Sequence, residues 1–149
     1  MSPRAPDSQA VAALQDALAA EHAALWSYAL AVAFLEADQA AAARTDAAAH
    51  RELRAAVEIV LVQAGQRPVP AQPAYATPQP VLDAVSAAGL LVTAEADAAA
   101  AWRSLLERSA DPRLRRTGFD ALVATTARTA RWRGAAGTVP AVPVFPGRP

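Results

Sequence analysis

A chain of 149 residues is about one domain's worth, long enough to bury a core of its own. Its 14 basic and 14 acidic residues cancel, so the global charge argues against a nucleic-acid footprint and against a solvating acidic tail. Cysteine is absent, which excludes disulfides, thiolate metal sites and cysteine nucleophiles.

All the basic residues are arginine, and about three residues in ten are alanine, the best helix former. Met1 to Gln9 lack the apolar core of a signal peptide. The apolar run Ala23 to Leu35 lies between Glu21 and Glu36 and falls short of the roughly 20 residues a membrane span needs. These features predict a cytoplasmic protein without a membrane segment.

Helix 1 is predicted from about Ser8 to Ala37, N-capped by Asp7 or Ser8. Its seam reads Val11, Leu14, Leu18, Glu21, Leu25, Tyr28, Val32, Leu35, alternating steps of three and four. Helix 2 is predicted from about Ala41 to Ala64, with His50, Leu53, Val57, Val60 and Ala64 on its stripe and Gly65 ending it. Residues 65–79 are proline-rich. The stretch from Gln66 to Gln79, extended at ~3.1 Å per residue, can span roughly 40 Å, the length of a helix of about 25 residues. Helix 3 is predicted from Pro80 to Ser109, along Val81, Val85, Ala88, Val92, Glu95, Ala99, Trp102 and Leu106. Asp111 followed by Pro112 reads as an N-cap and first-turn proline, and helix 4 then runs to about Gly134 with Leu114, Phe119, Leu122, Val123 and Trp132 as its larger apolar residues.

Short, long and short connections make two antiparallel hairpins joined by one crossover, so that helices 2 and 3 run parallel. The expectation is a single all-α domain over 1–149, with an extended tail over 138–149. In that tail Pro140, Pro143, Pro146 and Pro149 recur along one edge of a polyproline helix. It reads as a strap along the bundle, or as a docking segment for a protein partner.

Polar residues interrupt the seams. Glu21 stands between Leu18 and Leu25, and Glu95 between Val92 and Ala99. A buried carboxylate must be paired, protonated or bound to metal. His50 lies on the stripe of helix 2, His22 adjoins Glu21, and a hairpin turning near Gln39 puts Glu58 level with Glu21. Two readings follow. Glu21, His50, Glu95 and Glu58 make an interior metal site, for which carboxylate and imidazole ligands suit iron or manganese. Alternatively, they belong to a hydrogen-bonded network without metal, in which Glu21 pairs with His50, Tyr28 or Arg54; this second reading is preferred. The arginines of helix 4, from Arg113 to Arg133, read as partners for acids on neighbouring helices rather than as a nucleic-acid face.

Glu21-His22 followed by Trp26 and Tyr28, His50-Arg51 on helix 2, the proline-rich crossover and the arginine- and alanine-rich last helix resemble the ferritin-like superfamily. More narrowly, they resemble a small actinobacterial ferritin-like family of unknown function. The resemblance implies a four-helix bundle. Di-iron members carry a Glu on helices 1 and 3 and Glu-x-x-His on helices 2 and 4. Glu21 and Glu95 match the first pair. The second pair fails, because Glu58 is followed by Leu61, Glu52 by Ala55, and helix 4 has no histidine. The expectation is therefore a binding or structural module, a homodimer, with a degenerate di-iron site and no cofactor. The alternative is an iron- or manganese-dependent oxidoreductase or storage protein with a reduced ligand set.

Overall fold

The computed structural model describes residues 6–148, and among these the chain forms four helices and no strand. They are α1 (Ser8–Ala31), α2 (Ala37–Gln63), α3 (Ala84–Arg108) and α4 (Pro112–Ala135). Most begin where a side chain satisfies the free N–H groups of the first turn. Asp7 accepts from Ala10, Asp83 from Ser86, and Asp111 from Arg113, with Pro112 in the first turn as its sequence position predicts.

Several boundaries differ from the sequence reading. α1 stops at Ala31 rather than near Ala37, and α2 starts at Ala37 rather than near Ala41. No glycine or proline marks this turn. It is made by Leu35, which packs back against the Tyr28 cluster, and by Glu36, which stands at the N-cap of α2. α3 starts at Ala84 rather than Pro80, because Asp83 and Ser86 cap it there. The tail is not extended. It bends over 139–142 and turns again at Phe145 to Arg148, where Pro146 precedes Gly147 at a φ of +78°. Proline followed by glycine is turn chemistry before it is polyproline chemistry. Gly147 is required for a second reason: a Cβ there would lie 2.9 Å from the Ala99 carbonyl oxygen. Pro149, Met1 and the residues up to Ala5 lie outside the described residues.

Cross-helix bonds give the helix directions. Glu21 meets Trp102 while Tyr28 meets Glu95, so α1 and α3 run oppositely. Glu21 meets His50 while Tyr28 meets Asp46, so α1 and α2 do too. Arg115 reaches the Leu106 carbonyl and Arg128 reaches Glu95, so α3 and α4 do as well. α2 and α3 therefore point the same way. Residues 64–83 between them carry no helix, and the part from Arg67 to Tyr75 lies against α1. The Gln15 amide donates to the Arg67 carbonyl and accepts from the Val69 N–H, both at 2.8 Å, and Trp26 meets Tyr75 with ring centroids 5.9 Å apart.

The apolar core is split into two clusters. One gathers Leu14, Leu18, Val57, Leu61, Trp102 and Leu105; the other gathers Tyr28, Ala43, Leu91 and Trp132. The stripe of α3 differs from the sequence reading at Val85. Val85, Phe119 and Val123 face solvent, while Ala121, Thr125, Arg128 and Thr129 are buried. On α4 Leu114 and Trp132 point inward while Phe119 and Val123 do not, and much of its inner face meets polar groups of the other helices. By length and composition alone α3 could cross a membrane, yet it packs between α1 and α4 with Glu95 on its buried face.

α3 and α4 approach closely at Gly118, where a Cβ would stand 3.3 Å from both Leu106 Cγ and the Trp102 carbonyl oxygen. Gly118→Val should destabilise the fold by about 1–3 kcal/mol through overpacking. Gly134→Ala meets nothing within 4 Å and should stabilise it slightly. Urea unfolding of the two variants checks the contrast.

Candidate functional site

A layer of polar side chains lies between the two apolar clusters, and all four helices contribute to it. α1 supplies Glu21 and Tyr28, seven residues apart and so on one face after two turns. Asp46 and His50, one turn apart, come from α2; α3 gives Glu95 and Trp102; α4 gives Thr125, Arg128, Arg131 and Trp132. Glu21, His50 and Glu95 are each 0% exposed.

His50 is the bridge between the carboxylates. Its Nδ1–H donates to Glu21 Oε2 at 2.6 Å and its Nε2–H donates to Glu95 Oε1 at 2.9 Å. The other oxygen of Glu21 accepts from the Trp102 indole N–H at 2.7 Å. Glu95 Oε1 accepts from two further donors, the Tyr28 hydroxyl at 2.5 Å and Arg128 Nε at 3.0 Å. Asp46 accepts from Arg131 Nη2 at 2.6 and 2.7 Å and from the Trp132 indole at 3.0 Å. Trp132 also donates to the Tyr28 oxygen at 2.9 Å, which joins the Asp46 end to the Glu95 end.

Three carboxylates, Glu21, Asp46 and Glu95, thus face three cationic groups, His50, Arg128 and Arg131. Burial opposes a charged imidazole at His50. The hydrogen bonds to Glu21 and Glu95 and their negative charges outweigh it, and the group is pushed up to about 9. Burial likewise opposes a charged Glu95, but the bonds and charges from His50 and Arg128 hold it below its ordinary value. The Tyr28 hydroxyl is raised well above its usual range, first by burial and then by the Glu95 and Asp46 charges, so it stays a donor.

The residues singled out in the sequence separate into those the site uses and those it does not. Glu21, His50, Glu95 and Tyr28 come together, with Tyr28 on Glu95 rather than on Glu21. Glu58 does not join them. The tight turn at 32–36 makes Glu21 level with His50, and Glu58 sits about two turns further along α2, half-buried. Arg54 does not reach Glu21, and its buried Nε has no partner among the described residues. His22 is buried and bonds through Nε2 to the Val69 carbonyl at 3.0 Å, which pins residues 64–83 to α1. Asp46 escaped the sequence reading, and Arg128 was read only together with the other arginines of helix 4, as a partner for acids on neighbouring helices. Asp46 stands one turn from His50 on the same helix, and the Thr125, Thr129, Trp132 face of α4 needed polar partners; both signals were available.

Both imidazole nitrogens of His50 already lie on carboxylates, so to ligate a metal ion it would have to release a proton and give up its bond to Glu21 or Glu95. The Arg128 guanidinium also occupies Glu95 Oε1, where a metal ion's charge would otherwise lie. Among the described residues no group of three or more His, Asp or Glu side chains is arranged to hold a metal ion. In this arrangement the residues do not fit a di-iron or di-manganese centre. Within the polar layer one atom departs from full satisfaction: Glu95 Oε2 is buried and has no donor among the described residues. The remaining arginines of α4 are largely engaged locally, Arg115 on the end of α3, Arg116 with Asp120 at 2.8 Å, and Arg133 on the Pro140 carbonyl at 2.6 Å.

The raised His50 has a consequence for stability. A group raised from 6.5 to about 9 contributes fully below its unfolded value and loses that contribution as pH rises through its folded value. Between pH 6.5 and 9 the unfolding free energy should fall by about 3 kcal/mol. Glu95 acts in the opposite direction and its contribution is lost as pH falls below the ordinary carboxylate range. Urea unfolding from pH 5 to 9 measures the slope, and His50→Gln should flatten its alkaline limb.

The family model described as "Domain of unknown function (DUF4439)" matches residues 13–149. No curated protein matches the chain. Among solved structures it is similar to a conserved hypothetical protein, rv2844, from Mycobacterium tuberculosis, at 31% identity and a TM-score of 0.82, over 86% of this chain and 98% of that one. With a match over nearly its whole length, this four-helix chain belongs to the DUF4439 family.

Proposed function

We propose that this chain is one ferritin-like domain that works as a binding or structural module without a complete di-iron centre. Its interior carboxylates are neutralised by the protein's own cations. The observation that carries this reading is the double engagement of His50, whose two nitrogens both donate to carboxylates. The ferritin-like assignment is supported by the helix directions. α1 and α2 form one antiparallel hairpin and α3 and α4 the other, and residues 64–83 join them as a long proline-rich crossover beside α1.

A second reading, a metal-binding oxidoreductase or storage protein, is favoured by the one unpartnered oxygen, Glu95 Oε2. Metal content by mass spectrometry separates the two, on protein purified without chelator or affinity-tag metal and then reloaded with iron(II) or manganese(II) under controlled oxygen. The metal-free reading expects no stoichiometric ion and no change in Tm on loading. About one ion or more per chain, lost in Glu21→Ala and Glu95→Ala, overturns it.

The module is also proposed to pair with a second copy. Support comes from its exposed apolar residues, Phe119 and Val123 on α4 and Val139, Val142, Val144 and Phe145 in the tail. Light scattering should give twice the chain mass, and Phe119→Ser with Val123→Ser should lower it if α4 is the contact. A mass equal to one chain over the micromolar range ends the dimer proposal.

A further inference from the structure

A cleft of about 290 Å³ lies away from the polar layer, where three separate parts of the chain converge. Gln79 approaches from the segment before α3. Val85, Gly89, Leu90 and Thr93 form a stripe along the first half of α3, and Thr138 arrives from beyond the end of α4. Among the described residues no ionisable side chain lines it. Leu90 is buried and makes an apolar floor, Val85 stands exposed at the rim, and polar reach comes from the Gln79 amide and the Thr138 hydroxyl.

Gly89 is the informative residue. A glycine inside a helix costs about 1 kcal/mol relative to alanine, and two structural needs commonly justify it. A positive φ is one, and Gly89 has none. Close approach of another element is the other, and a Cβ built on Gly89 would meet nothing within 4 Å. Compare Gly118 on α4, where the neighbouring helix fills that space. At Gly89 the missing side chain deepens the cleft and bares the α3 backbone to whatever enters. Gly134 also meets nothing within 4 Å but has no part in this cleft; Gly89 lies in its wall, where close approach of backbone to a ligand is a recognised use of a glycine.

We infer that this cleft binds an uncharged molecule about the size of a single ring, with one apolar face against Leu90 and Val85 and a hydrogen-bonding edge toward Gln79 and Thr138. The volume sits at the lower edge of the range for small-molecule sites, which sets the size. The uncharged lining sets the class, because a charged ligand would be desolvated without a partner. The inference deepens the binding-module reading and rests on it.

The test uses the full chain, isotope-labelled, in an NMR titration with benzamide, with benzoate and benzylamine as charged counterparts of similar shape. Benzamide should shift the amides of Gly89, Thr93 and Thr138 saturably, with a Kd of about 1 mM, and the charged probes should bind at least tenfold more weakly. Gly89→Leu fills the cleft and improves helix propensity, so it should abolish the saturable shifts while holding or raising Tm. If that variant fails to fold, Gly89→Ala should weaken benzamide severalfold. No saturable shift up to the solubility limit, equal binding of the charged probes, or undiminished binding in the variant that folds overturns the inference. Such a result in protein free of metal leaves the metal-free reading standing, whereas a retained ion overturns that reading and leaves the titration unaffected.

Discussion

The bundle depends on one oxygen atom. Glu95 Oε1 on α3 accepts from Tyr28 on α1, His50 on α2 and Arg128 on α4. A carboxylate with no exposure is among the costliest groups to bury, and it is tolerated only with charge and hydrogen bonds supplied around it. Each remaining helix supplies one of those donors. The carboxylate is therefore a point through which all four helices must be positioned together, and no pairwise helix packing has that property.

The polar layer also divides the apolar core. Trp102 belongs to the cluster on one side and Tyr28 and Trp132 to the cluster on the other, and each turns its single polar atom toward the layer. A buried tryptophan or tyrosine usually finds such a partner, and here these residues seal the layer from both sides. An apolar layer of equal volume would often be as stable or more so. What the ionic layer adds in this chain is discrimination among helix registers. Alanine-rich faces slide past one another at low cost, but His50 meets both Glu21 and Glu95 at only one setting of α2.

The periodicity of three and four showed the four helices, and the polar intruders on their stripes showed Glu21, His50 and Glu95. Less legible were features that depend on partners. The turn at 32–36 has no breaker, so the α1–α2 register, and with it the place of Glu58, was settled by how Leu35 packs and where Glu36 caps. Arg128 read as one arginine among several on a basic helix, because a guanidinium that neutralises a buried acid differs from a solvated one only in what lies opposite. No inward stripe was legible on α4, where Phe119 and Val123 face solvent. Size and hydrophobicity place a residue inside only when the facing helices offer apolar surface, and the inner face of α4 meets Glu95 and Asp46.

On the ferritin-like reading, two departures from the di-iron pattern become one. A pair of metal ions would neutralise a ring of carboxylates and would need Glu-x-x-His on the second and fourth helices to hold it. Here α4 has neither residue, and Arg128 occupies its inner face. Without the ions, Glu21 and Glu95 would be left as uncompensated buried charges, which a fold does not tolerate. A fixed cation on α4 and a doubly bonded imidazole on α2 meet the same electrostatic demand from within the chain. The missing ligands and the added arginine are then a single compensated change. Restoring a ligand on α4 while Arg128 remains would leave the site as closed to metal as before.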